Sequence, residues 1–187
     1  STGQRVIDDE IQCATAVLMV GGVIAHACEG VWGLACDAYS LAGVRRILEL
    51  KRRSFVEGLI LIGGQSADFA LELAGLSAEQ REKLENSWPG PETWVIETHR
   101  FPVWITGGRG TVAVRVPGHD QARELAQRFG GPLVSTSANR TGEEPTARQE
   151  EVVRGFGDLV DYVLPGAISG PEGPSRIRVA ASGEVMR

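Results

Sequence analysis

The first third of the chain switches between helical and extended patterns of hydrophobic residues. Apolar residues recur at helical spacing over Ile7–Leu18, and the pair Gly21-Gly22 follows, so this pattern predicts a helix that ends at the glycines. Gly22–Ala27 is almost continuously apolar and is predicted as a short buried strand. Cys28–Asp37 contains glycines and is predicted as a loop with apolar anchors.

The remainder of the chain repeats this alternation of helix and strand. Ser40 is predicted to cap a helix that ends in Lys51-Arg52-Arg53. Ser77 with Gln80, and Thr146 with Gln149, have the spacing of capping boxes ahead of two later helices. The other predicted elements are strands at Gly58–Gly64, Thr93–Glu97, Thr111–Val116, Pro132–Thr136 and Tyr162–Leu164, a helix from His119 or Asp120 to Phe129, and a hairpin of Ser175–Ala180 with Glu184–Arg187.

Strands that alternate with helices predict an α/β protein with a twisted open mixed sheet and flanking helices. The strand-rich end of the chain indicates that some of the pairing is antiparallel. A length of 187 residues fits one domain, residues 1–187. A content of 42% hydrophobic and 23% charged residues is that of an ordinary globular protein with enough apolar material for a core.

The cysteines indicate the cellular compartment of the protein, and the net charge limits how it could bind RNA. The three cysteines are odd in number and lack Cys-x-x-Cys spacing, which argues against a disulfide framework or a zinc site and favours a reducing cytoplasm. The apolar run Cys13–Ala27 follows acidic residues and is divided by glycines, so we expect neither a signal peptide nor a membrane span. With a net charge of −5, any contact with RNA must come from a local basic patch.

Polar side chains follow the predicted strand at Pro132–Thr136. Because side chains alternate along an extended chain, Ser135, Ser137 and Asn139 are expected on one face. Hydroxyls and an amide at a strand end suit a polar ligand. The alternative is an ordinary exit from strand to turn, since Ser and Asn favour turns.

Cations form the second group of candidates. Lys51 and Arg53 lie between a helix and a strand, where a lysine point charge beside an arginine fork suits a polyphosphate, although cations also simply complement a helix C-terminus. Thr111 and Arg115 share one face of a valine-rich strand, and Arg115 needs a carboxylate partner from either the protein or a ligand. The glycine-rich segment Thr106–Gly110 matches no phosphate-loop pattern and is predicted as a flexible turn.

The chemistry-bearing residues are therefore cations, hydroxyls and an amide. No Ser–His–Asp or Cys–His arrangement, paired carboxylates in an evident loop, or metal motif is visible in the sequence. This inventory fits an enzyme that holds a nucleotide and a small acid in place and neutralises charge, rather than one that uses covalent catalysis.

Several segments, in order along the chain, resemble the YrdC family. The resemblance extends from about Val6 to Arg187, and the Lys-x-Arg and Ser-x-Asn motifs are its most specific part. The matching segments are Val23-Ile24-Ala25, Glu29-Gly30-Val31-Trp32-Gly33-Leu34, Cys36-Asp37, Leu50-Lys51-Arg52-Arg53, Trp88-Pro89-Gly90-Pro91, Gly110–Val116, Ser135-Thr136-Ser137-Ala138-Asn139 and Pro174-Ser175.

The resemblance implies an α/β fold with a concave, positively lined cavity. It also implies synthesis of threonylcarbamoyl-adenylate and diphosphate from L-threonine, bicarbonate or CO2, and ATP, with ATP as a substrate that carries Mg²⁺. A partner transferase complex would then modify tRNAs that read codons beginning with A. Members of the family have also been linked to tRNA or double-stranded RNA binding.

By motif position, the resemblance assigns two groups of side chains. The ATP side would consist of Lys51, Arg53, Thr111, Ser137, Asn139 and Arg187, with Lys51 and Arg53 as the catalytic cations and with no metal bound by the protein itself. The threonine side would consist of Cys28, Arg115, Ser135 and Ser175, with Arg115 clamping the carboxylate.

The sequence departs from the family pattern at three places. Ala27-Cys28-Glu29 stands where the family usually has Pro-Thr-Glu, His26 stands in place of a tyrosine or similar residue, and Ser54 replaces a proline. A thiol is a weaker hydrogen-bonding group than a hydroxyl, so the departures concern the threonine side more than the nucleotide side.

Two alternatives to the synthase stay open from the sequence. One is a non-catalytic RNA-binding or ribosome-maturation module, against which the presence of both Ser137 and Asn139 argues. The other is a carbamoyl-phosphate-handling domain like that of hydrogenase-maturation carbamoyltransferases, which the short chain disfavours.

Overall fold

The computed structural model describes residues 1–187 and places eight strands in one sheet. The strands are β1 (Ile24–Ala27), β2 (Trp32–Asp37), β3 (Ile60–Ile62), β4 (Glu92–Glu97), β5 (Thr111–Arg115), β6 (Leu133–Ser137), β7 (Tyr162–Val163) and β8 (Arg176–Val179). The helices are α1 (Thr2–Met19), α2 (Leu41–Lys51), α3 (Ala70–Leu73), α4 (Ala78–Asn86), α5 (Val103–Thr106), α6 (Asp120–Phe129) and α7 (Gln149–Phe156). Two 3₁₀ turns cover Phe55–Glu57 and Ser66–Phe69.

The sheet is mixed, with the strand order β7-β1-β2-β6-β3-β5-β4-β8. Pairing is parallel between β1 and β7, between β3 and β5, and between β4 and β8. The other four pairs are antiparallel. The predicted α/β class with a mixed sheet and flanking helices is therefore confirmed.

Alternation along the strands divides the core between the two faces of the sheet. Ala25 and Val134 belong to a large cluster that also contains residues of α2, α3, α4 and α7. Their neighbours Ile24 and Leu133 belong to a smaller cluster beneath α1 and α6, which pack against each other and against β1. These two helices cover only part of their face, so residues further along the same strands are left without a helix above them.

The predicted helix caps place several of these elements. The Ser40 hydroxyl accepts from the Gly43 N–H at the start of α2, and Ser77 and Gln80 form the predicted capping box of α4. His119 caps α6, which ends at Gly130 in the left-handed region. No helix of the chain has the combination of length and apolar character that crossing a bilayer requires.

Two local predictions are wrong. Cys28–Asp37 is not all loop, since Trp32–Asp37 forms β2 between β1 and β6. This strand is buried on both faces and so lacks the alternation of a half-exposed strand. The Thr146 capping box is absent, because the Thr146 hydroxyl donates to the Ala138 carbonyl and Arg148 occupies the N-cap of α7. The hairpin at the C-terminus is present as a single bridge from Arg178 to Val185.

Candidate functional site

The part of the sheet that α1 and α6 leave uncovered forms the floor of a cavity of about 610 Å³. Residues of β3, β5 and β6 line the floor, and the end of α2, the segment 139–145 and the segment 174–187 contribute walls. All ten side chains singled out from the sequence line this one cavity: Cys28, Lys51, Arg53, Thr111, Arg115, Ser135, Ser137, Asn139, Ser175 and Arg187.

Lys51 joins the end of α2 to the end of β6. Its ammonium donates to the carbonyl oxygens of Ser137 and Asn139 and to the Oδ1 of Asn139, the last at 3.0 Å. The Lys51 carbonyl in turn accepts from both the N–H and the hydroxyl of Thr141. Asn139 Oδ1 also accepts from the Ser137 hydroxyl at 2.6 Å, so the Lys-x-Arg and Ser-x-Asn motifs form one hydrogen-bonded unit.

The charge of Lys51 has no carboxylate partner in the protein. The side chain is 3% exposed, and every group to which it donates is an uncharged oxygen. Burial, and then the positive charge of Arg53, lower the pKa of Lys51 from 10.5 to about 8. An anion bound in the cavity would relieve this electrostatic cost.

Arg53 reaches the same cavity because of the backbone at Arg52. Arg52 adopts the left-handed conformation with φ of 53° and ends α2, after which the chain turns toward the 3₁₀ turn at Phe55–Glu57. The Arg53 guanidinium donates to the Gly58 carbonyl at 3.0 Å, and its Nε has no partner. Arg52 itself is exposed outside the cavity lining.

The alternating pattern of β5 is confirmed by its two faces. Val112 and Val114 are buried in the core cluster, although Val112 also borders the cavity. Thr111, Ala113 and Arg115 line the cavity and do not belong to the core cluster. On β6, Ser135 and Ser137 line the cavity two and four residues beyond Leu133, which lies beneath the helices. The predicted common face of the hydroxyls is therefore present.

Arg115 already has a protein partner. Its Nη2 donates to Glu29 at 2.7 Å and its Nε donates to the Gly90 carbonyl at 3.0 Å. The sequence left open whether the carboxylate partner of Arg115 comes from the protein or from a ligand, and in the structure the protein provides one, Glu29. Nη1 donates to no protein group, so Arg115 keeps one nitrogen for a ligand.

Of the remaining predicted residues, Ser175 and Arg187 lie near the edge strand β8, and Cys28 follows β1. The Arg187 guanidinium donates twice to the Ser175 carbonyl, at 3.0 and 3.2 Å, and burial lowers its pKa. The Ser175 hydroxyl lies 2.8 Å from that of Thr93. Cys28 is 4% exposed, and burial raises the pKa of its thiol, so it lines the cavity as a protonated, weakly polar group.

Sequence reasoning missed two further groups in this region. Thr106 and Arg109 belong to the segment that was predicted only as a flexible turn, yet both line the cavity. The sequence feature that could have indicated Thr106 and Arg109 is the position of this segment directly before Thr111. Glu29 was not assigned a role, although it orients Arg115, and no local pattern links these two residues 86 positions apart.

Cationic side chains outnumber acidic side chains in the lining of the cavity. Five side chains are cationic (Lys51, Arg53, Arg109, Arg115 and Arg187), and two are acidic (Glu57 and Glu143). No group of three or more His, Cys, Asp or Glu side chains is placed to hold a metal ion. The fold and the cavity thus define an α/β protein with a cationic, partly polar cavity suited to an anionic ligand.

Comparisons with known proteins identify the family. The family model Sua5_yciO_yrdC, described as "Telomere recombination", matches residues 16–187. The chain is 46% identical over 178 residues to the threonylcarbamoyl-AMP synthase of Halorhodospira halophila, covering 95% of this chain and 93% of that protein. It is 43% identical over 178 residues to that of Hahella chejuensis, covering 95% and 97%.

A solved structure of P. abyssi Sua5 complexed with L-threonine is similar in fold, with a TM-score of 0.83 and 30% identity. The match covers 90% of this chain and 50% of the Sua5 chain, so the present chain spans half the length of that relative. The chain belongs to the Sua5/YciO/YrdC family, and the resemblance stated from its motifs is confirmed.

We predict that the affinity of the cavity for ATP falls as the pH rises through about 8. Lys51 loses its proton in that range and with it the attraction for phosphate. Titration calorimetry between pH 7 and pH 9 measures this effect. A Lys51→Met variant should bind ATP more weakly at pH 7 and show no midpoint near pH 8.

Unfolding of the chain would not explain this loss of affinity. Because the pKa of Lys51 is lower in the folded chain than the ordinary value of 10.5, the unfolded chain binds the extra proton between about pH 8 and 10.5. As the pH rises over that range, the contribution of Lys51 to the stability of the folded chain therefore increases. Wild-type affinity that is constant up to pH 9 would contradict the prediction.

A second prediction concerns the ion pair of Glu29 and Arg115. Glu29→Ala leaves the guanidinium, whose side chain is 8% exposed, without its carboxylate, and should lower the free energy of unfolding by about 3 kcal/mol. Urea denaturation measures this loss, with Glu97→Ala as the control, since the Glu97 side chain is exposed and its one ion pair is with the exposed His99. Equal losses in the two variants would show that the pair does not stabilise the fold.

Proposed function

We propose that this chain is a threonylcarbamoyl-AMP synthase. It joins L-threonine, bicarbonate or CO2, and ATP to give L-threonylcarbamoyladenylate and diphosphate. Curated relatives of nearly equal length that are 46% and 43% identical carry this name. The structural observation that supports it best is Lys51, a buried cation without a carboxylate partner, in the same cavity as Arg115 and the β6 hydroxyls.

Two subsites follow from the proposal. The ATP subsite comprises Lys51, Arg53, Thr111, Ser137, Asn139 and Arg187, and the threonine subsite comprises Cys28, Arg115, Ser135 and Ser175. In support, the first group contains three cations suited to phosphates. In the second, Arg115 retains a nitrogen for the threonine carboxylate. Cys28 supplies a weaker hydrogen-bonding group than a hydroxyl would at this position.

The reaction proceeds in two chemical steps. The uncharged amino nitrogen of threonine attacks the carbon of CO2, loses a proton and becomes a carbamate; with bicarbonate as the source, water is released. A carbamate oxygen then attacks the α-phosphorus of ATP, and the bond to the β-phosphate oxygen breaks, so that diphosphate leaves. Both steps require the reactants to be held close together more than they require a protein nucleophile.

The protein contributes positioning and charge neutralisation. Lys51 and Arg53 offset the charge that grows on the phosphates as diphosphate leaves. Mg²⁺ that enters as part of the ATP substrate would supply further positive charge. The chain itself has no group of three or more His, Cys, Asp or Glu side chains placed to hold a metal. Neutral Ser137 and Asn139 keep Lys51 in place without cancelling its charge.

The proposal extends to the setting of the reaction. Residues 1–187 act as a single domain, which the membership of all eight strands in one sheet supports. The enzyme works in the cytoplasm, in keeping with three cysteines that form no disulfide. Its adenylate product is reactive, and a partner transferase complex would transfer the threonylcarbamoyl group from it to tRNA.

The proposal predicts diphosphate release that depends on threonine. Purified chain with ATP, bicarbonate and threonine should release diphosphate, and mass spectrometry should detect the adenylate. Lys51→Met should reduce the rate about 100-fold, because a preorganised cation at the phosphates is lost. Lys83→Met is the matched control, since Lys83 is the other lysine of the chain and is exposed on α4.

ATP turnover that ignores threonine, or no turnover, would contradict the synthase. Salt-sensitive binding of tRNA that excess ATP does not reduce would instead favour the RNA-binding alternative. Equal activity of the Lys51 and Lys83 variants would remove Lys51 from its proposed role while leaving the reaction in place.

A further inference from the structure

A buried histidine contacts a hydroxyl of the cavity lining from a strand that is not adjacent to the strand of that hydroxyl. His26 on β1 is fully buried, and its Nε2 lies 2.9 Å from the Ser135 hydroxyl on β6. Strand β2 lies between these two strands and places Gly33 opposite His26. A Cβ at Gly33 would lie 3.1 Å from the Ser135 oxygen and 3.2 Å from Nε2, so glycine leaves the space for this contact.

The second ring nitrogen determines where the protons are. His26 Nδ1 lies 3.0 Å from the Ala27 carbonyl, which can only accept, so Nδ1 carries a hydrogen. Burial lowers the pKa of His26 from 6.5 to about 4 and outweighs the hydrogen bond to the Ala27 carbonyl, which raises the pKa, while His119 and Arg115 further oppose a positive charge. The ring is therefore neutral at pH 7. Its Nε2 is an acceptor, and the Ser135 hydroxyl donates to it.

The hydrogen bond to His26 makes the Ser135 oxygen a hydrogen-bond acceptor toward the cavity. Its only hydrogen is directed at His26, so the oxygen offers lone pairs alone to a ligand. Ser137 differs, because its carbonyl and, at 3.4 Å, its hydroxyl oxygen face the Lys51 ammonium. Ser135 has no protein donor of this kind, and its acceptor capacity is unused.

We propose that His26 is a positioning residue that fixes Ser135 as a hydrogen-bond acceptor for the amino nitrogen of the bound amino acid. The inference rests on the proposed function and extends it to a residue without an assigned role. The cations of the cavity are hydrogen-bond donors, which suit phosphate and carboxylate oxygens. The amino group of a bound amino acid is a hydrogen-bond donor, and it requires an acceptor in this cavity.

A double-mutant cycle tests the inference. The variants are His26→Phe, which keeps a ring but removes the acceptor nitrogen, Ser135→Ala, and the two combined. Either single change should raise the threonine KM about tenfold or more and leave ATP affinity unchanged. The combined variant should be no worse than Ser135→Ala alone, because His26 acts only through the Ser135 hydroxyl.

A ligand without the amino group gives a second readout. 3-Hydroxybutyrate keeps the carboxylate and hydroxyl of threonine but has no nitrogen. Calorimetry with a non-hydrolysable ATP analogue present should show that wild type prefers threonine to 3-hydroxybutyrate by a margin that shrinks about tenfold in Ser135→Ala and in His26→Phe.

Two further variants separate positioning from folding. Thr15→Val removes a buried hydroxyl on α1 that bonds to the Ile11 carbonyl outside the cavity lining, and its threonine KM should equal that of wild type. His26→Gln keeps an acceptor in its side-chain oxygen, so it should retain part of the threonine affinity, and it serves as the test of His26 should His26→Phe fail to fold. Ser135→Ala alone then still reports the preference for the amino group.

The outcomes are distinct. Additive effects of the two changes, or an unchanged preference for threonine in Ser135→Ala, would overturn the inference while threonine-dependent diphosphate release still supported the synthase. Threonine binding without diphosphate release would overturn the proposed function, and the cycle measured in binding constants would still decide the role of His26. A wild type that binds no threonine would overturn both.

Discussion

The site depends on a single constraint, the burial of a lysine charge among neutral oxygens. Lys51 is held by the carbonyls of Ser137 and Asn139 and by the Asn139 amide, and it receives no carboxylate. An ion pair would stabilise the lysine but would cancel the potential that attracts phosphate. The neutral oxygens fix its position and leave its charge available, and the lowered pKa of Lys51 reflects the cost.

The sheet supplies the cavity by leaving part of one face uncovered. Along β6, Leu133 packs beneath α1 and α6, while Ser135 and Ser137 on the same face meet the cavity instead. The opposite face continues as core through Val134. A strand of five residues therefore contributes to folding at one end and to the site at the other, and its change from apolar to polar residues marks the boundary.

Patterns within one element were predicted well from the sequence, and contacts between distant elements were not. The two faces of β5, with Val112 and Val114 in the core and Thr111 and Arg115 in the cavity, follow from alternation alone. Strand β2 was missed because burial on both faces removes that alternation. The pairs Glu29–Arg115 and His26–Ser135 join residues 86 and 109 positions apart, and only the strand order brings them together.

The central claim is that one cavity holds a nucleotide at Lys51 and an amino acid at Arg115. A crystal structure of the chain with a non-hydrolysable ATP analogue and threonine tests it most directly. The account predicts the triphosphate within hydrogen-bonding distance of Lys51 and Arg53, and the threonine carboxylate at Nη1 of Arg115. A nucleotide bound outside this cavity, or a Lys51 ammonium that contacts no phosphate, would contradict it.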